Sequence, residues 1–537
     1  FTFSAGNARV LARAPLYALG ALVAVLVPRS PRRWVLASGI GLGEGALVLH
    51  DHVRTADPER HLTWLAPTDA ELDAARARGM RALPKRGPRG LWATLRAGVV
   101  VVTHGFGDVN RFGISGARVV QLWHGIPLKR LHLDTGATLG LPLIGSLPGI
   151  GRLMTALYRR AGAQIALFPV ASELVAARIR SAFGLPASRV IVTGDPRDDV
   201  LLAGTPSSRR VAARALVSGA LTAAGGAALP DDGPVVLYAP TWRDGAVDAA
   251  IPSSAEWQAL AHWVDRTGAT LLIRSHPLGA GSYADGVTSS PRIRLLGRDA
   301  LTDVTPALPA VDVLVTDYSS IAFDAAIADV PSVYFAPDLA SYLATRGLYQ
   351  PYREFSGGEP ATTWAEALDR LDAVLDGPAR EAALAHAAWL RDEFVDHLDG
   401  RATERVHAAV LELLGEGAAS DLAGQSGPPS RLSVTRDRVA VEAAAIRDRS
   451  TVVAVNGAPA GDLVLELTGT TTRPICTLVL EGARHSITGV VEHHGDSFTA
   501  TFALIGERWG NPNLAPPSGD YRLETLFEGS TRSTARA

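Results

Sequence analysis

The chain has little sulfur and almost no net charge, and both shortages narrow what it can be. Its 537 residues hold one cysteine, Cys476, which excludes an internal disulfide framework and a zinc site built on several thiolates. A lone cysteine fits a reducing compartment and is expected to be a small buried side chain in a strand. The 52 Lys and Arg residues nearly balance 54 Asp and Glu residues. Nucleic acid is therefore not expected as a partner, because binding a phosphate backbone requires a basic surplus.

The apolar runs are too short to cross a bilayer. One spans 16–27, whereas a membrane-spanning helix needs about 20 apolar residues. Arg29, Arg32 and Arg33 follow it, and an apolar segment beside arginines predicts contact with an anionic membrane surface. A helix packed on the domain and a targeting segment are the alternatives. A second apolar stretch, 139–158, is broken by Gly and Pro and is predicted as a loop that contacts lipid or a partner, or as a buried connection.

Short apolar runs alternate with helical periodicity over most of the chain. Continuous runs such as VVVV are typical of strands buried on both faces of a parallel sheet. Strands are predicted at 33–37, 61–65, 99–103, 119–122, 165–170, 190–193, 235–238, 271–274, 311–316 and 332–335. Helical segments such as 69–78, 173–183 and 254–266 lie between them, which is the pattern of repeated βαβ units.

Changes in composition divide the chain into five segments. They are an apolar and basic segment (1–32), a first α/β half (33–205), a second α/β half (206–417), a linker rich in Gly, Ser and Pro (418–430) and an all-β domain (431–537). Within the second half, 364–416 is predicted as nearly continuous helix. The chain begins at Phe1, which leaves open that it is a fragment of a longer protein.

The C-terminal domain shows only strand and turn patterns. Its strands are predicted at 432–435, 439–444, 463–467, 476–480, 498–503 and 521–527. About a hundred residues with this spacing predict a small β-sandwich, without the Cys and Trp core of immunoglobulin domains.

The motif QLWHGIPLK (121–129) places a histidine at the end of a predicted strand. His124 has a side chain that can act as a general base near neutral pH. Gly125 permits close approach of the backbone to a ligand, and Lys129 can face an anionic acceptor. A histidine alone would more often have a structural role, so this motif does not decide the function.

The motif TGDPRDD (193–199) is predicted to form a sharp turn after the strand at 190–193. Arg197 offers a planar guanidinium suited to a phosphate on the acceptor. Asp195 and Asp198 are candidates for helix capping, and a purely structural turn is the alternative.

Two further strands are followed by groups that suit a pyrophosphate. In YAPTWRD (238–244), Thr241 and Arg243 supply hydrogen-bond donors. In RSHP (274–277), Arg274 and His276 stand together and would stabilise a leaving phosphate. For each motif alone, a structural turn explains the pattern equally well.

The motif TDYSSIAFD (316–324) follows another predicted strand. Ser319 and Ser320 stand where a helix should begin, so their hydroxyls and the first N–H groups of the helix form a candidate site for the donor phosphate. Asp324 lies one turn further and is predicted to bind ribose hydroxyls. Capping of the helix by the two serines is the alternative.

Known metal and phosphate-loop motifs are missing from the sequence. It has no GxxxxGK(S/T), no HExxH and no DxD motif placed for a nucleotide-sugar enzyme. No metal and no cofactor is therefore expected, and charge stabilisation is assigned to Arg243, Arg274, His276 and the helix start at 319–320.

In this order, WHGIPLK, TGDPRDD, YAPTWRD, RSHP and TDYSSIAFD closely resemble the CDP-glycerol glycerophosphotransferase family, which includes teichoic acid primases and polymerases and related capsule polymerases. The resemblance covers roughly 33–400 and is strongest from 121 to 335; the preceding part, including THGFGDVN (103–110), also resembles these enzymes. The resemblance implies a GT-B-like fold of two Rossmann-like halves, the first binding the acceptor and the second the donor. The C-terminal β domain lies outside it.

The resemblance also implies an activity and roles for residues. Such enzymes transfer a polyol phosphate from a CDP-activated donor to a hydroxyl of a lipid-linked or polymeric acceptor and release CMP. For this chain, glycerol phosphate is the first candidate for the transferred group. By likeness, His124 is the base, His276 contacts the donor phosphate despite Ser275 in place of the commoner proline, and Ser319 and Ser320 bind the donor phosphate. It further implies a peripheral protein at the cytoplasmic face of the membrane; a homo-oligomer is left open.

Two other functions remain open. One is a GT-B nucleotide-sugar glycosyltransferase or epimerase, against which the WHGIPLK motif argues. The other is a non-catalytic relative that binds polymer or lipid, against which the presence of both histidines and both serines argues. The polyol, the acceptor and the choice between primase and polymerase are not decided by these motifs.

Overall fold

The structure divides the chain into two compact units, Phe1–Gly417 and Ala418–Ala537. It is a computed structural model that describes residues 14–135, 150–241, 249–274 and 283–416, and strands of the second unit between 439 and 535. Within the first unit, two parallel sheets follow one another along the chain.

The first sheet contains seven parallel strands in the order β3-β2-β1-β4-β5-β6-β7. They are β1 Ser30–Leu36, β2 His61–Ala66, β3 Ala82–Pro84, β4 Ala97–Val102, β5 Arg118–Gln121, β6 Ile165–Val170 and β7 Val190–Val192. Every residue of β4 (AGVVVV) is buried, as expected for a strand covered on both faces. The strand order reverses between β1 and β4, which makes this the switch point of the sheet.

The second sheet repeats the same plan with five parallel strands in the order β10-β9-β8-β11-β12. They are β8 Val235–Ala239, β9 Thr270–Ile273, β10 Ile293–Leu295, β11 Val313–Thr316 and β12 Ser332–Tyr334. Its switch point lies between β8 and β11. The ten strands predicted for the two halves are all present, and the structure adds β3 and β10, which are short edge strands.

Helices cover both sheets. They are α1 Ala14–Leu26, α2 Glu44–Ala56, α3 Asp69–Ala77, α4 Pro88–Arg96, α5 Ile150–Gly162, α6 Glu173–Phe183, α7 Asp199–Leu202, α8 Pro206–Ala223, α9 Ser254–Thr267, α10 Ala284–Ser289, α11 Ile321–Ile327, α12 Leu339–Arg346, α13 Tyr352–Ser356, α14 Trp364–Leu375, α15 Ala379–Phe394 and α16 Ala402–Leu414.

Local sequence explains where several of these helices begin and end. Ser172 accepts a hydrogen bond from the third residue of α6, and Gly184 ends that helix in the left-handed conformation. Thr205 and Ser253 form reciprocal capping boxes at the starts of α8 and α9. The boundary predicted between 205 and 206 therefore coincides with the start of α8.

The first unit ends at Gly417, at the predicted boundary, but its last helix does not belong to the second half as predicted. The region 364–416 consists of three helices, and α16 packs on the first half rather than the second. Val406 and Val410 are fully buried among the side chains of the first sheet. The backbone N–H groups of Ala402 and Thr403 donate to the Asp199 carboxylate at 2.9 and 2.8 Å. The apolar face of α16 has its partner in the first half, so the chain crosses back at about residue 400.

The predicted apolar segment 16–27 is the helix α1. One face packs on residues 111–113, where Tyr17 stacks on Phe112 with ring centroids 5.1 Å apart. The other face is open to solvent: Leu19 is 56%, Leu22 63% and Val25 82% exposed. None of the helices described, α1 included, is both long and apolar enough to span a bilayer.

The prediction for the basic cluster after α1 is wrong for Arg29. Arg29, predicted to face a membrane with its neighbours, instead donates to the carbonyls of Thr94, Ala97, Gly113 and Ser115 at 2.5–2.8 Å. Burial lowers its pKa to about 10. Since the four carbonyls take up its guanidinium, Arg29 fixes the start of β1. The other apolar stretch, 139–158, lies partly outside the described residues, and its last part belongs to α5.

The strands described in the second unit pair antiparallel. They are β13 Val439–Asp448, β14 Val452–Val453, β15 Pro459–Ala460, β16 Leu463–Thr471, β17 Ile475–Gly482, β18 Ser486–His494, β19 Ser497–Ala503, β20 Tyr521–Phe527 and β21 Ser533–Ala535. Seven of them follow the order β13-β16-β19-β18-β17-β20-β21. The first residues of β18 pair with β17 and its last five with β19. The elements described in this unit are strands, and Cys476 lies in β17; the predicted strand 432–435 lies outside the described residues.

Candidate active site

The predicted site residues gather where the switch strands of the two sheets end. In open parallel sheets, ligands bind at the carboxyl ends of the strands beside the switch point. In the first half, Ser38 follows β1 and Thr103 follows β4, and His124 lies just beyond the neighbouring β5. In the second half, Thr241 follows β8 and the serines at 319–320 follow β11.

His124 sits on an irregular turn that its neighbours impose. Trp123 has a φ of +65° and Gly125 a φ of +122°, and the glycine accommodates the second value without a steric penalty. His124 Nδ1 lies 3.4 Å from the carbonyl oxygen of Thr103. If this nitrogen carries the proton, Nε2 keeps its lone pair for a proton acceptor role. Burial lowers the pKa of His124 to about 3, so the ring is neutral at physiological pH.

A second histidine, which was not among the predicted site residues, lies against His124. The rings of His104 and His124 are stacked, with centroids 4.0 Å apart and planes within 6°. Burial in the cleft lowers the pKa of His104 to about 4, although a third of its side chain remains open to solvent. The loop that carries it is held by Asp108, whose carboxylate accepts from the N–H groups of Thr103, His104 and Gly105. The motif THGFGD contains both residues and was the available signal.

Gly125 brings the two halves together. A Cβ atom at this position would lie 3.2 Å from Arg197 Nη1 and 3.3 Å from Ser320 Oγ. The backbone next to His124 therefore lies close to a serine predicted to bind the donor. This close approach joins the motif of the first half to the motif of the second.

Arg197 and Asp324 contact each other. The sequence predicted Arg197 to bind the acceptor and Asp324 to bind ribose; instead they form a buried ion pair between the two halves. Arg197 Nη2 also donates to Thr305 Oγ1 at 3.0 Å. Burial raises the pKa of Asp324 to about 6 and that of Asp195 to about 7. The charge of the Arg197 guanidinium is compensated by neighbouring carboxyl groups within the protein. Direct contacts of Arg197 and Asp324 with substrate therefore stay predictions.

Asp317 organises the donor side, and the sequence did not single it out. Its carboxylate accepts from the N–H of Thr241 at 2.9 and 3.0 Å and from the N–H of Tyr318 at 2.6 Å. It thereby links the segment that follows β8 to the one that follows β11. Ser319 and Ser320 are half-buried at the start of α11, and Ser319 Oγ accepts from the N–H of Ile321 at 3.5 Å.

Arg274 is engaged by the protein backbone. Its guanidinium donates to the carbonyls of Leu296, Leu301 and Thr302 at 2.8–3.3 Å. Burial lowers its pKa to about 10. These bonds fix the loop after β10, and the contact of Arg274 with the donor phosphate stays a prediction.

Lys129 also reaches the second half. The residue pairs with Leu348 in an isolated antiparallel bridge, and its Nζ lies 5.6 Å from the centroid of the Tyr342 ring. The backbone continues the contact, because the N–H of Tyr349 donates to the carbonyl of Leu128 at 2.9 Å. The proposed acceptor segment is thus attached to the donor half.

Two predicted residues, Arg243 and His276, lie outside the described residues. Among the residues that the structure does describe, no group of three or more His, Cys, Asp or Glu side chains is placed to hold a metal ion.

The fold and the facing switch points define a GT-B-like α/β protein. A family model described as CDP-glycerol:poly(glycerophosphate) glycerophosphotransferase matches residues 30–412. This is more than half of the chain, and the protein belongs to that family.

Two curated relatives from Staphylococcus aureus each match about half of this chain. The teichoic acid ribitol-phosphate polymerase TarK is 25% identical over 291 residues, covering 54% of this chain and 51% of TarK. A teichoic acid glycerol-phosphate transferase is 27% identical over 305 residues, covering 55% of this chain and 71% of the relative. The alignment with TarK thus spans about half the length of that relative.

A solved structure agrees with the fold. The structure of the wall teichoic acid polymerase TagF superposes with a TM-score of 0.60 at 20% sequence identity, covering 77% of this chain and 96% of TagF. The likeness supports the predicted GT-B-like architecture of the first unit.

Proposed function

We propose that the protein transfers a polyol phosphate from a CDP-activated donor to a hydroxyl of a lipid-linked or polymeric acceptor and releases CMP. Glycerol phosphate is the first candidate for the transferred group. This reaction belongs to the synthesis of teichoic acid or capsule-type polymers of the cell envelope. The observation that carries the proposal is the close approach of Gly125, beside His124, to Ser320 of the second half. This proximity supports a role for the neutral imidazole of His124 beside the candidate phosphate site.

The chemistry follows from these positions. Nε2 of His124 takes the proton of the acceptor hydroxyl, and the oxygen attacks the phosphorus that carries the polyol. The bond between this phosphorus and the bridging oxygen breaks, and CMP leaves with the electron pair. Positioning and charge stabilisation dominate in such transfers. We assign stabilisation of the leaving phosphate to His276, Arg243 and the hydroxyls of Ser319 and Ser320.

Release of CMP tests the proposal. The full chain is incubated with CDP-glycerol, CDP-ribitol or UDP-sugars, with a lipid-linked or soluble polyol-phosphate acceptor. Acceptor-dependent CMP release from one CDP-polyol supports the proposal and identifies the donor. Turnover of a UDP-sugar without any CDP-polyol turnover favours the glycosyltransferase alternative, and inertness with every donor favours a binding protein.

We further propose that the reaction needs neither metal nor cofactor, with protein cations and hydroxyls supplying the charge stabilisation. Rates that are unchanged in excess EDTA support this. A loss of activity that added Mg²⁺ restores contradicts it.

We propose that α1 holds the protein at an anionic membrane, at the cytoplasmic face, where a lipid-linked acceptor is displayed. The exposed row Leu19, Leu22 and Val25 is the contact surface, and the exposed Arg32 follows α1 in the sequence. The full chain should sediment with vesicles that contain anionic phosphatidylglycerol. The double variant L19E/L22E should lose this binding, whereas Val211→Glu, at an exposed apolar position on α8, should keep it.

For the second unit we propose the sandwich that the sequence predicts, serving to bind polymer or to cap an assembly. Retention of the full chain on immobilised teichoic acid, compared with a chain ending at 417, tests polymer binding. Analytical ultracentrifugation of the same two chains tests the homo-oligomer.

A further inference from the structure

The stacked histidines lie just beyond the ends of two neighbouring strands, and these ends are in register. Val102 at the end of β4 pairs with Gln121 at the end of β5, so the residues just beyond them come out side by side. Thr103 contacts both rings: its carbonyl lies 3.4 Å from Nδ1 of His124, and its hydroxyl 2.9 Å from Nδ1 of His104. One residue thus orients both imidazoles.

A chain of hydrogen bonds runs from His104 to a buried carboxylate. The hydroxyl of Thr103 donates to Ser38 Oγ at 3.0 Å, and Ser38 Oγ donates to Glu44 Oε2 at 2.7 Å. Since the Thr103 proton is directed to Ser38, its oxygen accepts from the Nδ1–H of His104. Every donor in this chain points towards Glu44, which lies 3.6 Å from His104 Nδ1.

The residues at both ends of this hydrogen-bond chain, His104 and Glu44, are held in place by their neighbours. Gly39 packs against His104, and a Cβ there would come within 2.5 Å of the imidazole Cγ. Glu44 has a left-handed φ of +56°, a strained conformation for a residue with a side chain. Its N–H donates to Asp303 Oδ2 of the second half at 2.6 Å, and its carboxylate accepts from Ser38. These bonds hold Glu44 in the strained conformation beside the stack.

We propose that His104, tied to Glu44 through Thr103 and Ser38, is the positioning residue that fixes the plane of the His124 ring, and that the Glu44 carboxylate stabilises the imidazolium that His124 becomes. This rests on the proposed function, because it concerns the proton that His124 takes from the acceptor. No bond is made to His104; the proton stays on Nε2 of His124 until it is released to solvent.

Two arginines near the stacked histidines shift the histidine pKa values in the direction opposite to the effect of Glu44. Arg197 from the turn after β7 lowers the pKa of both histidines, and Arg298 from the loop after β10 lowers that of His104. Glu44 raises the pKa of His124, and the carbonyl of Thr103 acts in the same direction. Removing the charge of Glu44 therefore leaves His124 a weaker base.

Kinetics separate positioning from a structural role. In His104→Ala we expect kcat for CMP release to fall about 10²-fold, the scale of a slightly misplaced catalytic group, with the donor KM changed less than about twofold. His104→Phe restores a flat ring to the stack and should recover about tenfold of that loss, part of the 10²–10⁴-fold that a general base contributes. His262→Ala, an exposed histidine on α9, is the matched control and should equal the wild type. Equal kcat in His104→Ala and the wild type, or a loss confined to the donor KM, overturns the proposal.

A spectroscopic measurement tests the same point without turnover. In imidazole ¹H–¹⁵N spectra, with His124→Asn identifying the signal, wild-type His124 should show one Nδ1–H tautomer. In His104→Ala its pKa should rise towards the value in water because solvent enters. In Glu44→Gln, an amide that still accepts from Ser38, its pKa should fall. An unchanged His124 signal in both variants overturns the proposal, whereas an inert wild type with these shifts present contradicts only the proposed function.

Discussion

Replacement of Arg197 by methionine should weaken the first unit in a way that depends on pH. The change keeps most of the side-chain volume and removes the cation that pairs with Asp324 across the two halves. Arg197 is 7% exposed and Asp324 4%, so the carboxyl group that is left has no access to water. Removing one partner of a buried ion pair costs roughly 3–5 kcal/mol.

The pH dependence follows from the carboxyl groups that remain. Without the guanidinium, the pKa of Asp324, already raised to about 6 by burial, rises further, so the folded variant holds a proton that the unfolded chain has lost. Above the pKa of an unfolded aspartate, the folded state then binds more protons, and stability falls as pH rises. The slope is about 1.4 kcal/mol per pH unit for each carboxyl that keeps its proton.

Urea unfolding at pH 6 and pH 8 measures this, with equal m-values showing that the same unit unfolds. The double variant R197M/D324N should recover part of the loss, because the orphaned carboxyl is gone. Arg210→Met, which breaks a surface pair with Asp312, should cost less than about 1 kcal/mol. A loss below about 1 kcal/mol in R197M, with the acceptor KM raised, would refute the ion-pair reasoning and restore the predicted role of Arg197 in acceptor binding.

Three further predictions concern the site. His124→Ala and His276→Ala should each abolish CMP release with the circular dichroism spectrum unchanged; wild-type turnover in either folded variant removes that residue from the mechanism. Because burial lowers the pKa of His124 to about 3, kcat/KM should show no loss of a deprotonated base between pH 8 and pH 5, and an acid limb near pH 6.5 would show that another group is titrating. Arg274→Met should lower the free energy of unfolding by about 2 kcal/mol because three carbonyls lose their donor, whereas Arg266→Met at an exposed pair should change it little; equal effects would contradict the role of Arg274 in holding the loop.

Periodicity and continuous apolar runs were sufficient to predict both parallel sheets. They failed at β3 (ALP) and β10 (IRL) because Pro84 and Arg294 interrupt the apolar residues and each strand has a single buried residue, so that neither leaves a continuous apolar run. They also failed at α16: its apolar face was visible in the sequence, but which half would cover that face depends on tertiary packing.

The position of a candidate site residue was predictable where a single motif determines it, as for His124 and Gly125 just beyond β5. It was not predictable where two motifs satisfy each other. Arg197 and Asp324 stand 127 residues apart, and each alone has the charge that a ligand site would use. The stack of His104 on His124 depends on the register of β4 and β5, which the residue types do not specify.

The return of α16 to the first half has a consequence for the order of folding. The surface that receives Val406 and Val410 is made of residues synthesised hundreds of positions earlier. On the ribosome, the first half must wait with an uncovered apolar face until the second half is nearly complete, since α16 ends at Leu414. Contacts between such distant residues are slow to form, and exposed apolar surface favours aggregation. The newly made chain is therefore most vulnerable during elongation between about residue 200 and residue 400, and a chaperone that binds nascent chains would act in that interval.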